Sequence, residues 1–298
     1  MLKGRLGLET ARVPQADRHG LLWLGRGKLY VESGCLSFVT AGGEDLEAGV
    51  YHIPFQGISN ILMAPGTTVT HDALRLLARH QTGLVVVGEG GVRCYASMPA
   101  GPDSSSLARQ QVKLWGDPQS RILVARRMYG LRMGQDLTPA TDLNALRGVE
   151  GHRMKQIYKN LANQFGIPWS GRRYDRLAPE AADEINRSIN HAATAVQAGA
   201  MIAVAVTGTI GQLGFIHEAS GRAFALDIAD LFRSSFTLPV AFEAVGQQRR
   251  QSWIPLERIT RKLVGTRMQQ DKIIPQMIDS IKEVLEDPPD GDNNRGDT

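Results

Sequence analysis

The chain has 298 residues, of which 42% are hydrophobic and 21% charged, with 32 glycines and 14 prolines. That length exceeds what one hydrophobic core usually organises, so two domains are expected, and the composition excludes collagen-like, coiled-coil and wholly disordered classes. Two cysteines, Cys35 and Cys94, are too few for a disulfide framework or a Cys-rich zinc site.

The first twenty residues contain no apolar stretch of signal-peptide length. The longest apolar run, Ala198 to Val206, is interrupted by Gly199 and falls short of the ~20 residues of a spanning helix. A cytoplasmic protein with no membrane span is the expectation. The formal net charge is +4, but the last twelve residues carry four Asp and one Arg, and without them 33 cations face 26 anions. Eight of the 34 cations are lysine and the other 26 arginine. The planar guanidinium grips phosphate bidentately, which favours a polyanionic partner, although composition alone is better matched by a soluble enzyme with an Arg-rich surface.

From about Leu21 to Tyr95 short strands alternate with turns: LLWL, KLYVE and CLSFV are separated at Gly25, Gly27 and Gly34, and HIPF, ISNILMA and GLVVVG follow. HDALRLLARH, His71 to His80, breaks the pattern with Leu74, Leu77 and Ala78 at helical spacing. Met98 to Ser106 is Pro, Gly and Ser with almost nothing to bury, which predicts an exposed linker. Beyond it LARQQVKLW, SRILVARRMYGLRM, NALRGVEGHRMKQIYKNLANQF, EAADEINRSINHAATAVQAGAMIAVAV, FALDIADLF and Asp271 to Leu285 read as helices. The predicted division is a β-rich domain over 1–97, a linker over 98–106, a helical domain over 107–286 and a disordered acidic tail over 287–298.

Several familiar patterns fail. GEGGVR, Gly88 to Arg93, leads into another strand and reads as a hairpin turn, not a dinucleotide fingerprint. Gly208, Gly211 and Gly214 follow a helix and suit the loop that ends it. His217-Glu218 lacks the second His of a zinc-protease motif, because Gly221 stands in its place. No Gly-Lys-Ser/Thr exists, so there is no P-loop.

The chemistry concentrates in FALDIADLF, apolar at every position except Asp227 and Asp230. On a helix these lie about 60° apart on one face, where mutual repulsion calls for a cation, either a metal ion or an arginine. A solvated helix stripe is the alternative. His217, ten residues before Asp227, is a third candidate, since imidazole with carboxylates suits Mn²⁺ or Mg²⁺. Glu150 lies in LRGVEGHR, where Gly148 and Gly151 inside a helix suggest that another backbone or a ligand approaches closely.

LRGVEG around Glu150, GRRYD at Gly171 to Asp175 and GFIHEASGRAFALDIADLF at Gly214 to Phe232, in that order and spacing, resemble the CRISPR-associated spacer-acquisition integrase/endonuclease, the larger, catalytic adaptation subunit. GVRCYAS and GRRYD are most similar to its subtype I-E branch, and the likeness runs from about Arg18 to about Glu286. The resemblance implies an α+β chain, a β-sandwich-like domain followed by a mainly helical catalytic one. It implies a divalent ion, Mg²⁺ or Mn²⁺, on Glu150, His217 and Asp230, with Asp227 the neighbouring acid. It also implies phosphoryl transfer in which a duplex 3′-OH attacks a phosphodiester of a repeat array, once on each strand, by a homodimer joined with the smaller adaptation subunit in a heterohexamer.

Double- and single-stranded DNA are then the expected partners. Candidate contacts are Arg93, Arg126, Arg127, Arg132, Arg172, Arg173, Arg249 and Arg250, with Tyr174 placed to stack on a base. Relatives carry an aromatic wedge in the first hairpin where this chain has Arg26, and a tyrosine where it has Gln197. A nuclease for branched or nicked DNA and a non-catalytic DNA-binding scaffold are the competing readings. Intact Glu150, His217 and Asp230 argue against the scaffold.

Overall fold

The computed structural model describes residues 20–43, 46–80, 82–97, 104–134, 143–172 and 182–286. The β-branched and aromatic segments of the N-terminal part pair into two four-stranded sheets. One has the order β1 (Gly20–Leu24), β5 (Ile58–Met63), β7 (Gly83–Val87), β8 (Cys94–Ser97), parallel except for the antiparallel β7–β8 pair. The other has the order β4 (Gly49–His52), β3 (Cys35–Thr40), β2 (Gly27–Glu32), β6 (Thr67–Val69). Ser33 and Gly34, at φ 49° and 79°, make the tight β2–β3 turn. The segment read as HIPF is a strand only to His52, because Pro54 has no N–H for a ladder and opens a short 3₁₀ turn instead.

Alternation along the first sheet explains its apolar runs. Ile61, Met63 and Leu84 join Leu29, Leu36, Phe38 and the α1 (His71–Arg79) residue Leu77 in a core of the β domain. Their neighbours Leu62, Val85 and Val87 point the other way, into the core of the helical domain. GEGGVR is the β7–β8 turn, and its Gly90, at φ 62°, packs on the helical domain: a Cβ there would lie 2.9 Å from the Gly265 Cα.

The helical part comprises α2 (Ser106–Gly116), α3 (Pro118–Met133), α4 (Leu143–Phe165), α5 (Glu184–Thr207), α6 (Ala223–Leu231), α7 (Leu238–Arg250), α8 (Leu256–Gln270) and α9 (Ile273–Val284). α5 is the axis, with α6, α7, α8 and α9 packed around it. The Asp183 carboxylate caps its first turn, and Gly208 ends it in the left-handed region at φ 67°. By length and composition α5 is apolar enough to cross a membrane, which the apolar-run criterion missed, yet most of that stretch is buried here as the core helix.

Two helices went unread in the sequence. α7 carries Pro239 and Gly246, but a proline in the first turn costs no hydrogen bond. α8 is rich in charge and buries only the narrow stripe Ile259, Thr260, Val264, Gly265 and Met268. α2 begins at Ser106, inside the stretch read as linker; residues 98–103 and 287–298 lie outside the described residues. At Gly148 and Gly151 no other described residue lies within 4 Å of a Cβ, so no described backbone makes the close approach there.

Candidate active site

Asp227 and Asp230 do not share a face toward one cation. Asp227 is fully buried. One of its oxygens accepts the backbone N–H groups of Phe215 at 2.6 Å and Ile216 at 3.1 Å. The other accepts from the His217 backbone N–H at 3.0 Å and its ring Nδ1 at 2.7 Å. The solvated-stripe reading therefore fails for Asp227, whose charge is spent on folding the GFIH loop over the start of α6. Gly214 is what lets the loop close this tightly, since a Cβ there would meet the His217 carbonyl oxygen at 2.4 Å and the Ala223 Cβ at 2.7 Å.

His217 is oriented from behind by that carboxylate. A carboxylate only accepts, so Nδ1 carries the proton and Nε2 is the ring nitrogen left for chemistry. The hydrogen bond to Asp227 raises the His217 pKa above its usual range, and burial only partly opposes this. The charge of Asp230 adds to the rise and that of Arg132 opposes it.

Asp230, one turn on, lies 3.4 Å from the Arg233 Nη1, and Arg233 in turn donates to the Tyr158 hydroxyl at 3.2 Å. Across from it, Arg132 at the end of α3 reaches Glu150 on α4 at 2.5 Å and Asp230 at 3.9 Å through the same Nη1. The cation between the two carboxylates is thus an arginine. Among the described residues no three His, Cys, Asp or Glu side chains stand close enough together to hold a metal ion in this conformation. The donor set of two carboxylates and an imidazole nonetheless fits a hard divalent ion once the guanidinium is elsewhere.

The loop that carries His217 is held from α2 and α3 by residues the sequence did not single out. Gln111, fully buried, accepts from the Ile210 N–H at 2.7 Å and donates to the Ile210 and Leu213 carbonyls at 3.0 and 2.9 Å. Trp115 Nε1 donates to the Gly214 carbonyl at 3.0 Å, and Arg121 pairs with Glu218 at 2.6 Å. No local pattern marks these residues, because their partners stand about a hundred positions away.

The description of the Cas1 family (CRISPR associated protein Cas1) matches residues 22–135 and 131–253. The chain belongs to the Cas1 family. The "CRISPR-associated endonuclease Cas1" of Geobacter sulfurreducens is 33% identical over 273 residues, covering 92% of this chain and 86% of the relative. That of Escherichia coli K12 is 34% identical over 273 residues, covering 92% and 87%. The solved TtCas1–DNA complex is similar to this fold with a TM-score of 0.79 at 28% identity, covering 90% of this chain and 96% of the other. The Cas1 α+β fold is therefore present, and the named relatives are nucleases.

Within this Cas1 fold the candidate DNA arginines have varied surroundings. Arg172 is tied to Asn186 at 2.8 Å and Asn190 at 2.5 Å on α5. Arg127 donates to the Glu286 carbonyl, Arg249 to the Gly166 carbonyl, and Arg132 is buried against Glu150. Arg126 and Arg93 are half-buried, and Arg250 is exposed. Arg173 and Tyr174 lie outside the described residues. A groove of about 1820 Å³ between the first sheet, α8 and α9 is lined by Arg26, Arg93, Arg258, Arg261, Lys262 and Lys272 among others. The cations of α8 lie outside the candidate contacts named from the sequence, and the density of charge in RITRK at 258–262 is the signal that marks them.

Proposed function

We propose that this Cas1-family protein is a metal-dependent DNA integrase, in which the free 3′-OH of a short duplex attacks a phosphodiester of a repeat array, once on each strand. The observation that carries the reading is the convergence of Glu150 and Asp230, from opposite ends of 80 residues of chain, on one positive group. The TtCas1–DNA likeness and the endonuclease names of the relatives support DNA as substrate and phosphodiester chemistry as reaction class. The Arg-rich composition supports a phosphate backbone as partner.

Glu150, His217 and Asp230 would hold Mg²⁺ or Mn²⁺, which when bound supplies Lewis-acid activation of the attacking oxygen and neutralises charge on the in-line transition state. Asp227 fixes the His217 tautomer and ring direction. Arg233 and Tyr158 orient the Asp230 carboxylate, while Gln111 and Trp115 hold the His217 loop against α2. No Ser or Cys nucleophile is required. Water in place of the 3′-OH gives hydrolysis at the same residues, a second reading that the endonuclease names favour. The protein acts as a cytoplasmic homodimer and, with the smaller adaptation subunit, as a heterohexamer.

The test is a strand-transfer assay with that partner subunit, a duplex bearing 3′-OH ends and a supercoiled repeat plasmid. Alanine at Glu150, His217 or Asp230 is expected to abolish joining while leaving duplex binding within a few-fold. Full activity in EDTA, or lost DNA binding in a folded Glu150→Ala protein, would overturn the reading.

A further inference from the structure

The sequence makes Arg132 a candidate DNA contact, yet its side chain is only 6% exposed. Nη1 serves Glu150 at 2.5 Å and faces Asp230 at 3.9 Å. Nη2 has the Met154 thioether at 3.7 Å, a weak acceptor, and Nε is buried with no hydrogen-bond partner among the described residues. A guanidinium carries five N–H donors, so this one has left water for a poorly matched site. A cavity of about 60 Å³, lined by Arg132, Glu150, Met154 and Ser234, adjoins it.

A side chain kept to grip phosphate is expected at the surface, and one kept only for the fold is expected to have its donors matched. Arg132 meets neither description. What it does satisfy is electrostatic: it is the one cation that faces both Glu150 and Asp230, whereas Arg233 pairs with Asp230 alone among the described ion pairs.

We infer that Arg132 is a positioning residue, the built-in counterion of the Glu150/Asp230 pair, and that a divalent ion takes its place. The inference rests on the metal reading above and adds a competition to it. In the metal-free protein the guanidinium holds Glu150 and Asp230 together against their repulsion. When the ion binds, the side chain gives up its ion pair with Glu150, the one strong contact it has here, and the ion's affinity is lowered by the cation it displaces.

Mn²⁺ binding to the full-length protein is measured by isothermal titration calorimetry for wild type, Glu150→Ala and Arg132→Gln. Wild type is expected to show a site that Glu150→Ala removes. Arg132→Gln should tighten that site on the order of tenfold, the size of effect one neighbouring charge has on an ionised group. Loss of a merely structural salt bridge would not raise affinity. Unchanged or weaker binding by an Arg132→Gln protein with a wild-type near-UV spectrum overturns the counterion role and leaves the metal site standing. Absence of any Glu150-dependent site in wild type overturns both. Should Arg132→Gln not fold, wild type decides: the Arg132 Nε–H resonance, assigned by its loss in Arg132→Lys, is expected to exchange faster with solvent when Mg²⁺ is added, and unaltered protection overturns the inference.

Discussion

The Asp227 carboxylate holds His217 twice, at the backbone N–H at 3.0 Å and at the ring Nδ1 at 2.7 Å, so the loop and its imidazole are set by one buried charge. Asp227→Ala would strand the Phe215, Ile216 and His217 amides in the interior. Breaking a buried charged network of this kind costs roughly 3–5 kcal/mol. Urea unfolding is expected to show a loss in that range, and a loss within about 1 kcal/mol would show that water replaces the carboxylate. This is a stronger effect than that expected of an accessory acid on the same helix face.

The raised pKa of His217 has a definite sign in the metal-free protein. With the native value above the unfolded one, near 6.5, the pair's contribution to stability is full below about pH 6.5 and fades as pH rises through the native pKa. The ring is partly exposed, so the contribution is screened. In EDTA the His217 ring proton followed by NMR should titrate above 6.5 in wild type and at lower pH in Asp227→Asn. Coincident titrations would remove the hydrogen bond as the cause.

Gln111→Leu keeps approximate side-chain volume but removes the partner of the Ile210 N–H and the Leu213 carbonyl, while the Ile210 carbonyl keeps the Leu213 N–H. A destabilisation of about 1–3 kcal/mol is expected. Amide exchange of residues 210–217 should accelerate more than that of α5. Uniform acceleration across the chain would mean the residue supports the core and not the loop.

DNA affinity should separate the groove cations from the arginines tied inside the fold. Arg258→Gln with Lys262→Gln, both exposed in the groove, is expected to reduce the slope of log K against log salt by about 2. Arg172→Ala should cost roughly 1 kcal/mol of stability through Asn186 and Asn190 and barely change the slope. The reverse pattern would move the DNA path to the GRRYD segment.

Residue pattern alone determined the change from strands to helices near residue 100, the hairpin at Gly88 to Arg93 and the end of α5 at Gly208. Those features follow from period and turn chemistry within a few residues of each other, which is information a linear string retains. The tertiary structure decided that Asp227 turns inward and Asp230 outward, that Gln111 clasps Ile210 from 99 positions away, and that Arg132 meets Glu150 instead of solvent. The apolar residues of α3 do not fall on one face, since Val124, Met128 and Tyr129 are buried while Leu123 and Leu131 are exposed, and the group that meets Arg132 is set by how α4 and α6 pack across the helix.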